Sequence, residues 1–403
     1  MDTYIARQPI FDRNQRVYGY ELLYRSDNDN FCKGFEGDRF SSEVITNSLT
    51  LNGLETLTRG RKAFINFTRT LLENEIATLL PKDVLVVEIL ENIEPDENIL
   101  EACRRLNELG YVLALDDFVY TPNLSPFFDL VNIIKIDFTL TRGKERRNVI
   151  QRIENPKIKF LAEKVETQED FKEAMQLGYS YFQGYFFEKP LMLTGKDIPI
   201  FQNSLIQLMQ ESNKPIPDFN RLEEIVKLDV SLSYKVLRLI NSAAFGFRYE
   251  IRSIRQALVL LGYKELMKWV TLLTLQILVG DKPDELLVVS VTRAHFLESM
   301  ASPIGLNNRS SELFIMGLLS LIDVYLEQPL NKVLDDLPLA DDIKEALLGT
   351  QGKLRELYDL TIYLERGNWD KMAQKVRELS VDERAVASNY LKSLEAANAL
   401  LNF

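Results

Sequence analysis

The chain has 403 residues, which is enough for two or three domains that each bury a core. A hydrophobic fraction of 46% excludes a disordered chain, and a net charge of -11 excludes the basic surface that binds nucleic-acid polymers. Two cysteines form neither a disulfide framework nor a zinc cluster, and the longest apolar stretch (270–280) is too short to span a bilayer as a helix. We therefore expect a cytoplasmic protein without a membrane or nucleic-acid partner.

The first half of the chain alternates short β-like runs with amphipathic helical stretches. The predicted strands cover residues 4–11, 17–25, 63–67, 84–89, 112–118, 132–138, 159–165 and 181–187, and the helices between them cover 40–57, 68–80, 98–110 and 169–178. The first two strands flank "DRNQ" and are typical of a hairpin. Strands that alternate with helices predict a parallel sheet, and the number of repeats favours a closed (β/α)8 barrel of the TIM type.

The second half loses its strand signals from about residue 197. Stretches such as "DFNRLEEIVKLDVSLSYKVLRLINSAAFG" and "ELLVVSVTRAHFLESMASPIG" are typical of helices, and the pattern continues to the last residue. The sequence thus predicts an α/β domain over residues 1–196 followed by an all-α domain over residues 197–403.

Histidine is nearly absent, since His295 is the only one in the chain. A metal site with several imidazole ligands is therefore excluded. Any metal must be held by oxygen ligands, which magnesium, manganese and calcium prefer.

Polar residues close the predicted strands in the first half. The stretch "VLALDDFVY" (112–120) places two aspartates side by side after an apolar run, where they repel each other unless a positive group lies nearby. The strand-end residues are Glu21, Asn66, Glu88, Asp116, Asp117, Lys135, Asp137, Glu163 and Gln183. In a barrel the strand ends converge on one face, so these groups can share a divalent cation. Capping of the following helix is the alternative explanation for any single acidic residue.

An all-oxygen site with two metals suits a phosphodiester, because two cations can polarise the ester and ionise a water for in-line attack. Lys135 would orient the water or offset charge on the phosphoryl oxygens, and Arg25 could grip a second phosphate. The residues alone predict a metal-dependent site for a phosphate ester.

Several motifs resemble those of EAL-domain cyclic-di-GMP phosphodiesterases, whose fold is a modified (β/α)8 barrel with an antiparallel first strand. "ELLYR" (21–25) resembles the E-A-L-x-R signature. The other matching segments, in the family's order, are "FINF", "EILE", "DDF", "KID", "AEKVET" and "FQGYFFEKP". The resemblance covers roughly residues 1–195.

The resemblance implies a role for each matched residue. The cofactor would be Mg²⁺ or Mn²⁺, and opening of one ring phosphodiester would give linear pGpG. One metal would be held by Glu21, Asn66, Glu88 and Asp116, and a second by Asp117. Lys135 and Glu163 would serve the attacking water or the second metal, and Gln183 would contact the substrate or a metal-bound water. Glu91 would brace the loop after Asp117, and Glu166 would support the pocket.

Two departures leave the activity open. Leu22 replaces the signature alanine, which is a mild change. The family usually has "GTGYSS" after "DDF", whereas this chain has "VYTPNLSPFF". Val119 at a position that needs positive φ would cost about 1 kcal/mol or more, so this loop must take another shape. One hypothesis is an active phosphodiesterase, and the other is a degenerate domain that binds the dinucleotide or only protein partners.

The second half resembles the HDOD domain, a helical relative of HD phosphohydrolases. The matching segments are "LRLINSAAFG" (237–246), "IRSIRQALVLLGYKELMKW" (251–269) and "MGLLSLID" (316–323). Ser320 and Leu321 stand where an HD enzyme needs a His-Asp pair, so this half is expected to bind protein partners and not to hydrolyse. Together with "IARQPIFD" at the start, the arrangement resembles bacterial EAL–HDOD signalling proteins, and a homodimer is compatible with it.

Overall fold

The structure, a computed structural model, describes residues 3–26, 53–153, 155–188, 207, 210–211, 214, 217–228, 251, 253–278, 282–337 and 339–401. The chain divides into two units. One contains Met1–Lys189 and Tyr363–Asp370, and the other contains Pro190–Ile362 and Lys371–Phe403.

Eight strands close into a barrel in chain order, which confirms the predicted fold class. They are β1 (Thr3–Asp12), β2 (Val17–Ser26), β3 (Lys62–Phe67), β4 (Leu85–Ile89), β5 (Val112–Leu115), β6 (Ile133–Asp137), β7 (Lys159–Glu163) and β8 (Tyr181–Gln183). Each predicted strand overlaps one of these elements.

The first strand runs against its neighbours on both sides. β1 pairs antiparallel with β2 and with β8, whereas the other neighbouring pairs are parallel. The hairpin turn is held by Asp12, whose Oδ1 accepts from the backbone N–H groups of Asn14 (2.8 Å) and Arg16 (2.9 Å). The predicted hairpin around "DRNQ" is therefore confirmed.

Five α-helices of the first unit are described between and after the strands. They are α1 (Gly53–Thr58), α2 (Arg69–Glu73), α3 (Glu97–Leu109), α4 (Lys144–Arg152) and α5 (Gln168–Leu177). As expected, Gly110 and Gly178 end α3 and α5 in the left-handed conformation. Most of the helix predicted over 40–57 lies outside the described residues, and α4 was not predicted because "KERRNVIQR" has almost no apolar stripe.

The second half contains helices and turns wherever it is described. The helices are α6 (Phe219–Leu228), α7 (Ile254–Leu278), α8 (Glu285–Met300), α9 (Ser310–Leu318), α10 (Ile322–Leu326), α11 (Leu330–Asp336), α12 (Asp341–Leu348), α13 (Lys353–Glu365), α14 (Trp369–Leu379) and α15 (Glu383–Leu401). Helix α7 breaks at Gly262, which has φ 74° and ψ 164°. None of the described helices is long and apolar enough to cross a membrane.

Gly184 follows β8 at a point where backbone segments approach closely. Its φ is +142°, and a Cβ there would lie 2.2 Å from the carbonyl oxygen of Val165. Gly178 also has positive φ (+96°), but a Cβ there would meet nothing within 4 Å. Of these two glycines, only Gly184 combines positive φ with a backbone contact that excludes a Cβ.

We expect Gly184→Ala to lower the free energy of unfolding by about 1–3 kcal/mol more than Gly178→Ala, because it adds overpacking to the conformational cost. Calorimetry on the full chain would compare the barrel transition in the two variants. Equal losses would show that the approach of Gly184 to Val165 does not constrain the fold.

Candidate functional site

The apolar layer inside the barrel explains why the polar strand-end residues meet. Side chains along a strand alternate between its two faces, so a residue two positions after an interior one also points inward, nearer the C-terminal end. The buried interior cluster contains Ile10, Phe64, Val86, Ala114, Ile133, Leu161 and Tyr181. Two residues after the last six of these stand Asn66, Glu88, Asp116, Lys135, Glu163 and Gln183. Because side chains alternate along each strand, these polar residues all lie at one mouth of the barrel, as in other TIM-type barrels.

Lys135 lies at the centre of this layer and contacts four carboxylates. Its Nζ is 2.6 Å from Glu88 Oε1, 2.6 Å from Asp116 Oδ1, 2.9 Å from Glu163 Oε1 and 3.5 Å from Glu21 Oε2. We call these four acidic residues the carboxylate ring. The Lys135 side chain is fully buried.

One ammonium cannot satisfy the carboxylate ring, since it has three N–H donors and one positive charge against four carboxylates. Glu88 Oε1 lies at ion-pair distance from Nζ without making a hydrogen bond, and Glu88 Oε2 and Glu163 Oε2 are buried without a hydrogen bond. The ring therefore carries uncompensated negative charge away from solvent.

This excess charge shifts the pKa values of the ring. Burial is the main cause that raises the pKa of Glu163 to about 8, and the Asp116 and Glu21 carboxylates add to it. Burial likewise raises the pKa of Glu88 well above its usual range, although Lys135 opposes the shift. Burial acts to lower the pKa of Lys135, but the four carboxylates outweigh it and raise this pKa well above its usual range. Lys135 is therefore charged, while Glu88 and Glu163 hold protons at pH values where carboxyls are normally ionised.

The two adjacent aspartates turn to different ammonium groups. Asp116 N donates to Ile89 O and Phe118 N donates to Lys135 O, both at 3.0 Å. Asp117, between these anchored positions, takes φ 41°, and its Oδ1 lies 3.5 Å from Lys164 Nζ. Each aspartate thus has its own cation, and their mutual repulsion is relieved without a shared partner.

Lys164 was not among the predicted site residues. Its Nζ donates to Asp137 Oδ2 at 2.5 Å, and the side chain is 53% exposed at the mouth. Its position directly after Glu163 was the available signal, but its φ of 53° is uncommon for lysine and is not written in the sequence pattern.

A cavity of about 230 Å³ opens beside the carboxylate ring. It is lined by Gln8, Glu21, Leu23, Asp116, Asp117, Glu163, Lys164, Glu166, Gln183, Gly184 and Tyr185. Gln183 Nε2 donates to Glu21 Oε2 (2.5 Å) and to Gln8 Oε1 (3.0 Å), and Gln8 Nε2 donates to Tyr185 Oη (3.2 Å). This amide network was predicted only at Gln183, because β1 had no strand-end residue in the sequence pattern.

The remaining predicted residues lie outside the carboxylate ring and differ in their surroundings. Asn66 pairs in register with Glu88 on the next strand and is half-buried. Glu166 lines the cavity, whereas Glu91 is exposed on the turn after β4. Arg25 lies in β2, but its side chain lies outside the described residues.

The carboxylate ring fits a hard divalent cation in donor chemistry but not in its present arrangement. Its oxygens are the ligands that Mg²⁺ and Mn²⁺ prefer, and three of them are buried without a hydrogen bond. Across the described part of the chain, however, no group of three or more Asp, Glu, His or Cys side chains is arranged to hold a metal ion. Lys135 is therefore the direct competitor of a cation for these oxygens.

The loop after Asp117 takes a shape of its own, as expected from its sequence. Val119 is not among the residues with positive φ, and residues Pro122–Asp129 form a 3₁₀ helix. Val119 is 65% exposed. The loop thus avoids the backbone conformation that would strain a valine.

The described residues of the helical half contain no group of three or more His, Cys, Asp or Glu side chains that could hold a metal ion. Ser320 Oγ accepts from the buried Arg293 at 3.3 Å. Burial lowers the pKa of His295 to about 4, with help from Lys268, and its Nδ1 lies 4.0 Å from Glu298 Oε2. His295 is therefore neutral at physiological pH.

Comparisons with known proteins cover both halves of the chain. The EAL domain family matches residues 38–190, and the HDOD domain family matches residues 198–326. The chain is 35% identical to "Uncharacterized protein YuxH" of Bacillus subtilis, with all of both chains covered. It is 36% identical to "Cyclic di-GMP phosphodiesterase CdgJ" of Vibrio cholerae, with 97% of this chain and 91% of that protein covered.

Among solved structures, a cyclic-di-GMP-bound "standalone versatile EAL protein" of Vibrio cholerae is 24% identical. The match covers 47% of this chain and 92% of that one, with a TM-score of 0.35.

We expect Lys135→Met to destabilise the protein by about 3–5 kcal/mol at pH 8, because it leaves buried carboxylates without their ammonium. At pH 5 the loss should be smaller, since the carboxyls can take up protons. Thermal unfolding at both pH values, with the exposed Lys172→Met on α5 as the control, would measure this. A loss that does not depend on pH would contradict the ring electrostatics.

Glu163→Gln should reveal the raised pKa of Glu163. Between the ordinary carboxyl pKa of 4.5 and about 8, the native state keeps a proton that the unfolded state releases, so this group lowers the stability as pH rises. The stability of Glu163→Gln relative to the unsubstituted protein should therefore increase from pH 5 to pH 8. Unfolding midpoints in one buffer series would test this, and a difference that falls with pH would refute the assignment.

Proposed function

The chain belongs to the family of proteins that join an EAL domain to an HDOD domain, and on that premise we propose that its barrel mouth binds cyclic-di-GMP with slow turnover or none. The helical half would pass the signal to protein partners. The observation that carries this proposal is the buried Lys135 ammonium within reach of all four ring carboxylates.

Binding is supported by the polar groups that converge on the cavity. A concave site with a few fixed polar groups is typical of ligand recognition. Gln183 and Gln8 supply amide donors and acceptors, Tyr185 supplies a hydroxyl, and Lys164 supplies a positive charge for a phosphodiester. These side chains lie on barrel strands or within two residues of a strand end, which gives them a rigid support.

Binding of this ligand would also require a positive charge that offsets the repulsion between its phosphates and the ring carboxylates. Cyclic-di-GMP carries two negative charges, and the ring has four carboxylates against one ammonium. Proteins of the EAL family are generally metal-dependent, so a bound Mg²⁺ or Mn²⁺ would offset the repulsion. Glu21, Asn66, Glu88 and Asp116 would hold this ion.

Slow turnover is supported by the ion pairs that already engage Lys135 and Asp117, two groups that the reaction would need. Lys135 is committed to the ring, and Asp117 faces Lys164. A reaction would therefore require these ion pairs to rearrange first.

The second candidate function is an active phosphodiesterase, which the complete set of oxygen ligands and the named activity of the Vibrio cholerae relative favour. Divalent cations would polarise the phosphodiester and ionise a water. Glu163 Oε2, which makes no hydrogen bond, would accept the proton of that water once a bound cation had displaced the proton that Glu163 holds without metal. Lys135 would donate to a phosphoryl oxygen. The water oxygen would form the new P–O bond as one ring P–O bond breaks, and the leaving oxygen would take a proton from solvent to give linear pGpG.

The two domains would divide these tasks at about residue 196, with the barrel over 1–196 and the HDOD domain over 197–403. In the HDOD domain Ser320 and Leu321 replace an adjacent His-Asp pair, and Ser320 is engaged by Arg293. A role in binding protein partners, or a second copy of the chain, therefore suits this half better than hydrolysis.

Calorimetric titration with cyclic-di-GMP in Mg²⁺ or Mn²⁺, alongside a chromatographic assay for pGpG, tests the proposal. We expect saturable binding and a turnover well below 1 per second, which is about the lower end of typical enzymes. Glu21→Ala should weaken metal-assisted binding and abolish residual turnover, whereas the exposed Glu108→Ala on α3 should change neither.

Turnover above that rate, lost in Glu21→Ala, would replace the binding proposal with the phosphodiesterase. Neither binding nor product would contradict both functions and leave the mouth without a nucleotide role.

A further inference from the structure

Among the described residues, two ammonium groups stand at the mouth, and of these two only Lys135 belongs to the carboxylate ring. Lys164 serves a separate acidic pair, Asp117 and Asp137, with Nζ–O distances of 3.5 and 2.5 Å. The sequence predicted a cation at Asp117, and the structure places a side-chain cation there.

Asp137 holds this ammonium in a fixed place. The Asp137 side chain is 5% exposed, and its Oδ1 accepts from Thr139 N (2.6 Å), Thr139 Oγ1 (2.6 Å) and Leu140 N (3.2 Å). Its Oδ2 is thereby aimed at Lys164. The partner carboxylate of Asp117 is 43% exposed, so Lys164 spans from a buried anchor to the open mouth.

The backbone on either side of Lys164 is locked into the turn that presents it. Val165 N donates to Gln183 O at 2.9 Å, and Phe186 N donates to Val165 O at 3.1 Å. Gly184 packs so closely on Val165 that it leaves no room for a Cβ. These contacts hold Lys164 at φ 53°.

The left-handed conformation at Lys164 is unfavourable for a residue with a Cβ, whereas glycine would adopt it without strain. The Lys164 ammonium lies between the buried Asp137 and the 43% exposed Asp117. The lysine therefore brings a positive charge to the mouth that glycine would not supply.

We propose that Lys164 is a specificity-determining residue that stands in for one divalent cation at Asp117, so that the mouth takes up one fewer cation than its carboxylates would otherwise hold. This inference rests on the proposed function only in that the carboxylate ring takes up a cation of its own. Its chemistry is simple, because a fixed ammonium supplies positive charge to Asp117 and Asp137 but cannot ionise a water.

Lys164→Asn is the sharpest variant, because asparagine removes the charge and tolerates the left-handed conformation. Lys164→Arg keeps the charge, and Lys172→Asn makes the same change on the exposed face of α5. Electron paramagnetic resonance would measure the free Mn²⁺ in solutions of the full-length protein. The bound Mn²⁺ per chain is the total minus this free ion. The expected result is one more Mn²⁺ per chain in Lys164→Asn, and no gain in the two control variants or in Lys164→Asn combined with Asp117→Asn.

Equal Mn²⁺ counts in Lys164→Asn and the unsubstituted protein would overturn the inference. So would weaker binding of cyclic-di-GMP without a new Mn²⁺ site, because the ammonium would then serve only a ligand phosphate. The ring is measured separately by the Mn²⁺ lost in Glu21→Ala. A ring that holds no ion while Lys164→Asn gains one would contradict the proposed metal at the ring and still support the role of Lys164.

Discussion

The charge imbalance around Lys135 is the constraint on which the mouth of the barrel depends. Four largely buried carboxylates surround one ammonium that solvent does not reach. Such a cluster is expensive to bury, because breaking or leaving unpaired a buried charge costs several kcal/mol. The fold meets this cost partly with the ammonium and partly with protons on Glu88 and Glu163, whose pKa values are raised by burial. The same imbalance is the basis of the proposed cation site at the ring.

The acidic residues next to the carboxylate ring pair with a second lysine, so they do not add to the excess negative charge of the ring. Asp116 belongs to the ring, whereas the left-handed backbone at Asp117 turns the next carboxylate towards Lys164. A second left-handed residue, Lys164, meets it from β7, and Asp137 anchors the pair. The mouth thus contains two separate charge clusters, one buried and one exposed. The buried cluster competes with a metal for its oxygens, and the exposed cluster supplies a fixed positive charge where a ligand would enter.

Much of this architecture could be predicted from the sequence, because the signals were local and periodic. Each strand was a short apolar run, and the period of two that placed Phe64 in the interior also placed Asn66 at the mouth. What could not be predicted depended on backbone conformation and on the choice between partners. The residue pattern does not predict that Asp117 and Lys164 take positive φ. A lysine at a strand end also does not show whether it stands beside a metal or occupies the place of the metal. Helix α4 was not predicted because its sequence is mostly charged and polar and has few apolar residues at helical spacing.

The central claim is that the carboxylate ring is a proton-holding trap for a divalent cation. Potentiometric titration of the full-length protein with Mn²⁺ near pH 7 tests this most directly, because a metal can bind a carboxyl only after its proton leaves. The account predicts that Mn²⁺ uptake releases about one proton or more per chain, and that Glu163→Gln releases fewer. Uptake of Mn²⁺ without proton release, or no uptake at all, would contradict it.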